Sequence, residues 1–203
     1  MLQISTVQPT TLELLINLQK VEILKSTRLV GGTALALQLG HRLSIDLDFF
    51  GQVKGDTQTI AQSLMEEGFN VITTINSKNI HIFMINGVKT DIVNYKYAWV
   101  DDLIEDGGVR LAGLKDIAAM KIAAITNRGS KKDFIDIYFL LNHFSLEEII
   151  NLYLDKYPDA SSFLACKSLV YFADADAQVM PKMLIPTTWE DIKSKIIAEV
   201  KQY

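Results

Sequence analysis

The chain has 203 residues, 49% of them hydrophobic and 22% charged, with a formal net charge of −4. That length supports one large domain or two small ones, and the balance is that of a globular chain, not a disordered one. The acidity excludes the global basic footprint of a dedicated nucleic-acid binder, and a lone Cys166 excludes an internal disulfide framework and a cysteine-built zinc site.

The opening Met-Leu-Gln-Ile-Ser-Thr lacks the basic and apolar regions of a signal peptide. Apolar runs such as 117–125 are too short to span a bilayer, and Lys121 interrupts that one. A cytoplasmic protein with no membrane partner is expected. Thr10 or Thr11 is expected to cap a helix from Leu12 to about Leu24. An extended stretch, Arg28 to Gly31, leads to a glycine turn and a short helix, Thr33 to Leu39, that stops at Gly40. Ile45 to Phe50 reads as a strand alternating acid and hydrophobe, with Asp46 and Asp48 on one face and Ile45, Leu47 and Phe49 turned into a core.

Asp56 caps the next helix, which runs to about Glu67 and stops at Gly68. A strand from Phe69 to Ile75 precedes the clearest hairpin of the chain, Ile80–Ile85 and Val88–Tyr95, joined by an Asn86-Gly87 turn of type I′ character. On its second strand Asp91 is a third carboxylate placed on a sheet. After Gly107-Gly108 the chain turns helical, with segments 115–128, 132–142, 146–157, 160–175 and 189–202. Ser145 with Glu148, and Thr188 with Asp191, mark two helix starts. The expected architecture is α+β, an α/β part over residues 1–110 followed by a helical lobe over 111–203.

Two constellations carry chemistry. In the first, Gly31 and Gly32 let backbone approach a ligand, and the free N–H groups of the following helix point at an anion. Asp46 and Asp48 lie roughly 6.5–7 Å apart along a strand. Two such carboxylates repel unless a cation lies between them, and Mg²⁺ favours one or two carboxylates plus phosphate oxygens. A Gly-Gly pair is usually only a turn, and an Asp-x-Asp often only a polar face; their order and closeness describe a metal–triphosphate site. Asp91 is either a solvated strand residue or the third acid of that site.

The second constellation is helical. Lys121 sits among alanines and isoleucines, with Arg128 seven positions on and therefore on the same face. Lys121 either snorkels to solvent or aims its charge at phosphate. Asp133 suits a helix start, whereas Asp136, between Ile135 and Ile137, needs a partner, for which Arg128, Lys131 and Lys132 are the candidates. The Walker A pattern is ruled out because no lysine follows Gly31-Gly32-Thr33-Ala34, and a third glycine is missing for a dinucleotide fingerprint.

Taken together, Gly31-Gly32-Thr33, Arg42-x-Ser44-x-Asp46-x-Asp48, Lys121, and Arg128 followed by Lys132-Asp133-x-x-Asp136 resemble the AbiEii/AbiGii-type nucleotidyltransferase family. That family includes toxins of bacterial toxin–antitoxin and abortive-infection systems. The resemblance implies a polymerase-β-like nucleotidyltransferase fold, a mixed sheet with helices and a helical appendage. It implies that Gly32 and Thr33 cradle an NTP triphosphate, that Asp46 and Asp48 hold Mg²⁺ or Mn²⁺, and that Lys121 binds nucleotide phosphate. Asp133 matches the acid of the last motif ahead of Asp136, and Arg42, Ser44 and Arg128 fall at further nucleotide-binding positions. Thr33 stands where the wider superfamily usually has serine, and keeps the hydroxyl. The implied reaction moves NMP from an NTP to an acceptor hydroxyl, with RNA, above all the tRNA 3′ end, as the leading acceptor and an antitoxin as cognate partner. The alternative is a non-catalytic nucleotide- or RNA-binding module, or a partner-binding protein, on the same fold; the intact Asp46 and Asp48 argue against it.

Overall fold

The computed structural model describes residues 1–203, the side chain of Asn76 excepted. The chain forms two compact units, one of residues 1–38, 44–96 and 103–112, the other of residues 39–43, 97–102 and 113–203.

The first unit is built on a mixed sheet. Its strands are β1 (Thr27–Leu29), β2 (Leu47–Gly51), β3 (Val71–Asn76), β4 (Ile80–Ile85), β5 (Val88–Asn94), β6 (Ile104–Asp106) and β7 (Val109–Leu111), in the order β3-β4-β5-β2-β1-β7-β6. β2 runs parallel to β5 and antiparallel to β1. Helices α1 (Pro9–Leu18), α2 (from Gly31, ending at Leu39) and α3 (Thr57–Glu66) belong with it. Its core takes Leu29, Leu47, Phe49, Phe83, Ile92 and Leu111 from the strands, with Leu35 and Leu37 of α2 and Ile60 and Leu64 of α3. The β4–β5 hairpin turns on Asn86 and Gly87, both at positive φ, as a type I′ turn requires. Asp56 caps α3 by accepting the N–H of Thr59.

Three expectations are corrected here. The first helix begins at Pro9 and ends at Leu18, and a 3₁₀ turn, Glu22–Leu24, replaces its last part. The cause is tertiary: the Gln19 side-chain amide donates to the Arg110 carbonyl at 2.8 Å and accepts the Arg110 N–H at 2.7 Å, capturing the chain on β7. The acidic strand starts at Leu47, so Asp46 lies just ahead of it and Ile45 is 55% exposed instead of buried. Backbone at 44–46 is committed elsewhere, Ser44 N–H to the Thr6 carbonyl and the Asp46 carbonyl to the Thr33 hydroxyl. Finally, β6 and β7 form an unexpected hairpin around Gly107 and Gly108.

The second unit contains α4 (Leu114–Asn127), α5 (Lys131–Leu140), α6 (Leu146–Lys156), α7 (Ser162–Leu169), α8 (Ala173–Asp176) and α9 (Trp189–Gln202). α4 is central, packing on α5, α6 and α7. Ser145 and Thr188 head full capping boxes with Glu148 and Asp191. The single helix expected over 160–175 is broken after Leu169, where the Phe172 ring packs on Phe134 at 5.0 Å and Trp189 at 5.7 Å. A buried ion pair, Lys156 Nζ to Asp116 Oδ1 at 2.6 Å, ties segment 97–102 into this unit. Asp116 also accepts the N–H groups of Val100 and Asp101, so both partners of the pair are satisfied.

Candidate active site

In the sheet unit the parallel register sets Asp48 of β2 directly beside Asp91 of β5, and neighbouring strands lie about 4.8 Å apart. Leu47 and Phe49 are buried on the opposite face, which holds Asp48 half-exposed on this one. Asp46 joins them. Lys89, two residues before Asp91 and on its face, donates to Asp91 Oδ1 at 2.8 Å. Burial would lower the Lys89 pKa, but its hydrogen bond to and the charge of Asp91, then the charges of Asp48 and Asp46, raise it. One ammonium therefore senses all three acids.

Gly31 opens α2 at φ +68°, and its neighbour Val30 donates N–H to the Asp48 carbonyl at 2.8 Å. A Cβ built on Gly31 would fall 2.4 Å from Asp48 Oδ2, so only glycine leaves the carboxylate its space. Gly32 follows in the same first turn, where backbone N–H groups have no intrahelical acceptor. Thr33 is buried, and its hydroxyl lies 2.8 Å from Ser44 Oγ and meets the Asp46 carbonyl. The carbonyl can only accept, so Thr33 donates to it and accepts from Ser44. Thr33 and Ser44 thus lock the glycine helix to the backbone of Asp46.

The donor set suits a hard divalent cation, all of it carboxylate oxygen. Among the described residues, however, no group of three or more His, Cys, Asp or Glu is disposed to hold a metal ion. Asp46, Asp48 and Asp91, expected as a three-acid set, do not form such a group, and Asp91 accepts instead from Lys89. The chemistry fits a cation held by two carboxylates and completed by substrate phosphate oxygens, the usual arrangement for Mg²⁺.

In the helical unit the second constellation is a buried charge network. Asp136 Oδ1 receives Arg42 Nε at 2.8 Å and faces His41 Nε2 at 2.8 Å, while Oδ2 receives Arg42 Nη2 at 2.9 Å and Lys121 Nζ at 2.7 Å. Lys121 Nζ also donates to Asp133 Oδ1 at 2.8 Å, and Ser130 Oγ to Asp133 Oδ2 at 2.5 Å. The partners expected for Asp136 are corrected accordingly. Arg128 instead lies 3.8 Å from Asp133, and Lys131 Nζ binds the carbonyls of Asp176 and Gln178. Arg42, expected at nucleotide, is buried with its fork on a carboxylate, a bidentate geometry that lysine would not reproduce. Segment 39–43, which carries His41 and Arg42, is held further by the N–H of Leu184 donating to the His41 carbonyl and that of Leu43 to the Lys182 carbonyl.

Burial alone would raise the carboxyl pKa of Asp136, but Arg42, Lys121 and the hydrogen bonds from His41 and Arg42 hold it well below the usual range. Asp133 is lowered in the same way, its burial outweighed by Lys121 and the Ser130 hydroxyl. For Lys121, burial is outweighed by Asp136 and Asp133 and the pKa rises. Burial wins at His41, which is lowered and stays neutral near pH 7.

These directions fix a pH dependence of stability. A depressed group stabilises above its unfolded pKa and loses that contribution as pH falls toward the folded value. His41, with His81 also lowered by burial, therefore costs stability as pH drops below 6.5, and Asp133 and Asp136 add a second loss below 3.8. Lys121, being raised, keeps its contribution below 10.5 and loses it as pH climbs through the folded value. Urea midpoints measured from pH 3 to 11 should form a plateau with a two-step acid limb. A flat limb between pH 6.5 and 4.5 would mean that the histidines are protonated in the fold.

Sequence reasoning missed Lys89, although its position two residues before Asp91 on one strand face was available as a signal. It also missed His41 and Arg42 as partners of Asp136, for which no local signal exists at a separation of 94 residues.

Solved structures share this fold. Protein JHP933 from Helicobacter pylori superposes with a TM-score of 0.63 at 17% identity, over 97% of this chain and 92% of that one. MenT4, a nucleotidyltransferase toxin from Mycobacterium tuberculosis H37Rv, superposes at 0.60 and 16% identity, over 93% and 84% of the two chains. The architecture is the α+β nucleotidyltransferase fold with a helical C-terminal part. An uncharacterized protein of Aquifex aeolicus (strain VF5) is 37% identical over 181 residues, 86% of each chain. The sequence matches the family described as nucleotidyl transferase AbiEii toxin, type IV TA system, over residues 13–106 and 88–202, and the chain belongs to that family. It is a nucleotidyltransferase. Among the described residues no helix is long and apolar enough to cross a membrane.

Proposed function

We propose that this nucleotidyltransferase moves NMP from an NTP to an acceptor hydroxyl of RNA, with the tRNA 3′ end as leading acceptor, and that it acts as the toxin of a cytoplasmic toxin–antitoxin pair. The observation that carries the reading is the acid face of β2 and β5, with Asp48 beside Asp91, Asp46 close by, and Gly31 leaving space over Asp48. Asp46 and Asp48 would hold Mg²⁺ or Mn²⁺. When bound, the metal would neutralise phosphate charge and lower the pKa of the attacking hydroxyl.

The residues of the chain do the positioning that phosphoryl chemistry demands. Gly31 and Gly32 present backbone N–H groups to the triphosphate, while Thr33 and Ser44 hold that turn against Asp46. Lys89 offsets the charge of Asp91, so the acid face is not left with three uncompensated carboxylates. In the helical unit Lys121 is held by Asp133 and Asp136, and Arg42 and His41 complete that buried network. The acceptor oxygen attacks the α-phosphorus, the bond to the pyrophosphate oxygen breaks, and the hydroxyl proton passes to solvent or a carboxylate.

The test is transfer of α-³²P label from each of the four NTPs to total RNA with Mg²⁺. Label on a discrete RNA, absent with EDTA, is the expected result; no label with any NTP or divalent metal would overturn the reading. Gly31→Ala is expected to lose most of this transfer, because its Cβ displaces Asp48 Oδ2 and a side chain at φ +68° costs about 1–2 kcal/mol. Transfer at the wild-type rate by the alanine variant would show that Asp48 is free to move.

A further inference from the structure

The helical unit carries a cleft of about 550 Å³, lined where α4 ends and along α7. Arg128 and Asn127 come from the end of α4, Lys167 and Ser168 from α7, Tyr171 from the turn that follows and Asp174 from α8. The volume is within the range of small-ligand sites. Along α7 Phe163 and Lys167 lie four residues apart, hence on one side and about 6 Å apart along the helical axis, and Tyr171 follows in the turn just past the helix. Phe163 is 77% exposed and Tyr171 58% exposed, so two rings are presented to solvent together with the exposed Lys167.

Leu164, Val170 and Tyr171 are exposed and line this one cleft, and a contiguous exposed apolar patch marks an interaction site. Aromatics interleaved with cations are what single-stranded nucleic acid requires, since rings stack on unpaired bases and cations follow the phosphates. Lys167 and Arg128 give the cleft its positive charge, against a single carboxylate, Asp174. Asp174 and Ser168 add acceptors for base N–H or ribose 2′-hydroxyl groups, which a purely electrostatic site would lack. Arg128 also lies 3.8 Å from Asp133, so the cleft adjoins the charge network around Lys121 within the same unit.

We infer that this cleft binds single-stranded RNA, with a base stacked on Tyr171, a second aromatic platform at Phe163, and phosphates on Lys167 and Arg128. The inference rests on RNA being the acceptor and assigns the surface that holds it. A globally acidic chain thus has a local nucleic-acid site with few cations, and stacking carries much of its affinity.

The experiment measures anisotropy of a fluorescein-labelled single-stranded oligoribonucleotide titrated with the full chain, using wild type, Tyr171→Ala, Tyr171→Phe and Lys167→Gln. Tyr171→Ala is expected to weaken binding about tenfold, with Tyr171→Phe restoring most of it. Lys167→Gln should reduce the slope of log K against log salt by about 0.7. In the transfer assay Tyr171→Ala should raise the acceptor KM far more than it lowers kcat. All these side chains are solvent-facing, so thermal midpoints serve as a check that the variants fold.

Wild-type binding that no variant changes, or no oligoribonucleotide binding at all, overturns the assignment; the latter is the outcome expected of a patch reserved for a protein partner. Labelled RNA with an unchanged acceptor KM in Tyr171→Ala would overturn the cleft and leave the proposed transfer intact. Variant-sensitive binding with no transfer would do the reverse.

Discussion

Replacing Asp136 by alanine is expected to cost about 3–5 kcal/mol of folding stability. The carboxylate is fully buried and serves His41, Arg42 and Lys121 at once. Removing it leaves the Arg42 guanidinium buried without its bidentate carboxylate, and leaves Lys121 with Asp133 as its one remaining close carboxylate. Breaking a buried salt-bridge network is among the few mechanisms that produce so large an effect from one residue. For a chain of this size the loss corresponds to a fall of roughly 6–20 °C in thermal midpoint. Asp133→Ala should cost less, since Asp133 takes one close cation and a hydroxyl, and Arg128 beside it is 75% exposed. Urea unfolding of the two variants against wild type checks the order. A cost below about 1 kcal/mol for Asp136→Ala would show that water enters the network and solvates the freed cations.

That network marks the limit of what the sequence discloses. Asp136 between Ile135 and Ile137 announced a buried acid in need of a cation, and the cation could be sought only among near neighbours. The true partners, His41 and Arg42, come from the segment between the glycine helix and the acidic strand, and only the fold brings them to α5. Features set by local chemistry were legible: the Asn86-Gly87 turn, the Asp56 cap, and the Ser145 and Thr188 boxes each rest on contacts within a few residues. Features set by distant contacts were not. Gln19 ends α1 because Arg110 binds it, and Phe172 breaks the helix after α7 because Phe134 and Trp189 receive its ring. The three-residue strands β6 and β7 are too short to show an alternation.

The acid face shows both behaviours. Alternation along β2 placed Asp48 opposite Leu47 and Phe49, but it could not show that the strand begins only at Leu47 and that Asp46 is held from behind by Thr33. Family resemblance implies that Thr33 cradles triphosphate; its hydroxyl also joins the glycine helix to Ser44 and Asp46 just ahead of β2, and the side-chain volume that matters most at the turn is the one Gly31 lacks.

Asp48→Asn is expected to separate chemistry from folding. The amide keeps the shape of the carboxylate against Gly31 and removes one of three neighbouring negative charges on β2, β5 and the backbone ahead of β2. Asp48 is half-exposed, so the effect on stability should stay within about 0.5 kcal/mol, a thermal shift of no more than about 2 °C. Relief of repulsion from Asp46 and Asp91 works toward stabilisation. Transfer should fall about a thousandfold or more, because a neutral amide cannot replace a carboxylate that holds a divalent cation worth several kcal/mol at the reacting phosphate. Asp136→Ala is the contrasting case, in which stability falls first and activity follows it. Measuring transfer and thermal midpoint on the two variants side by side decides the assignment. If Asp48→Asn transfers label at more than a tenth of the wild-type rate, the carboxylate at this position is not the metal-holding group, and Asp91, one strand over, becomes the residue to test.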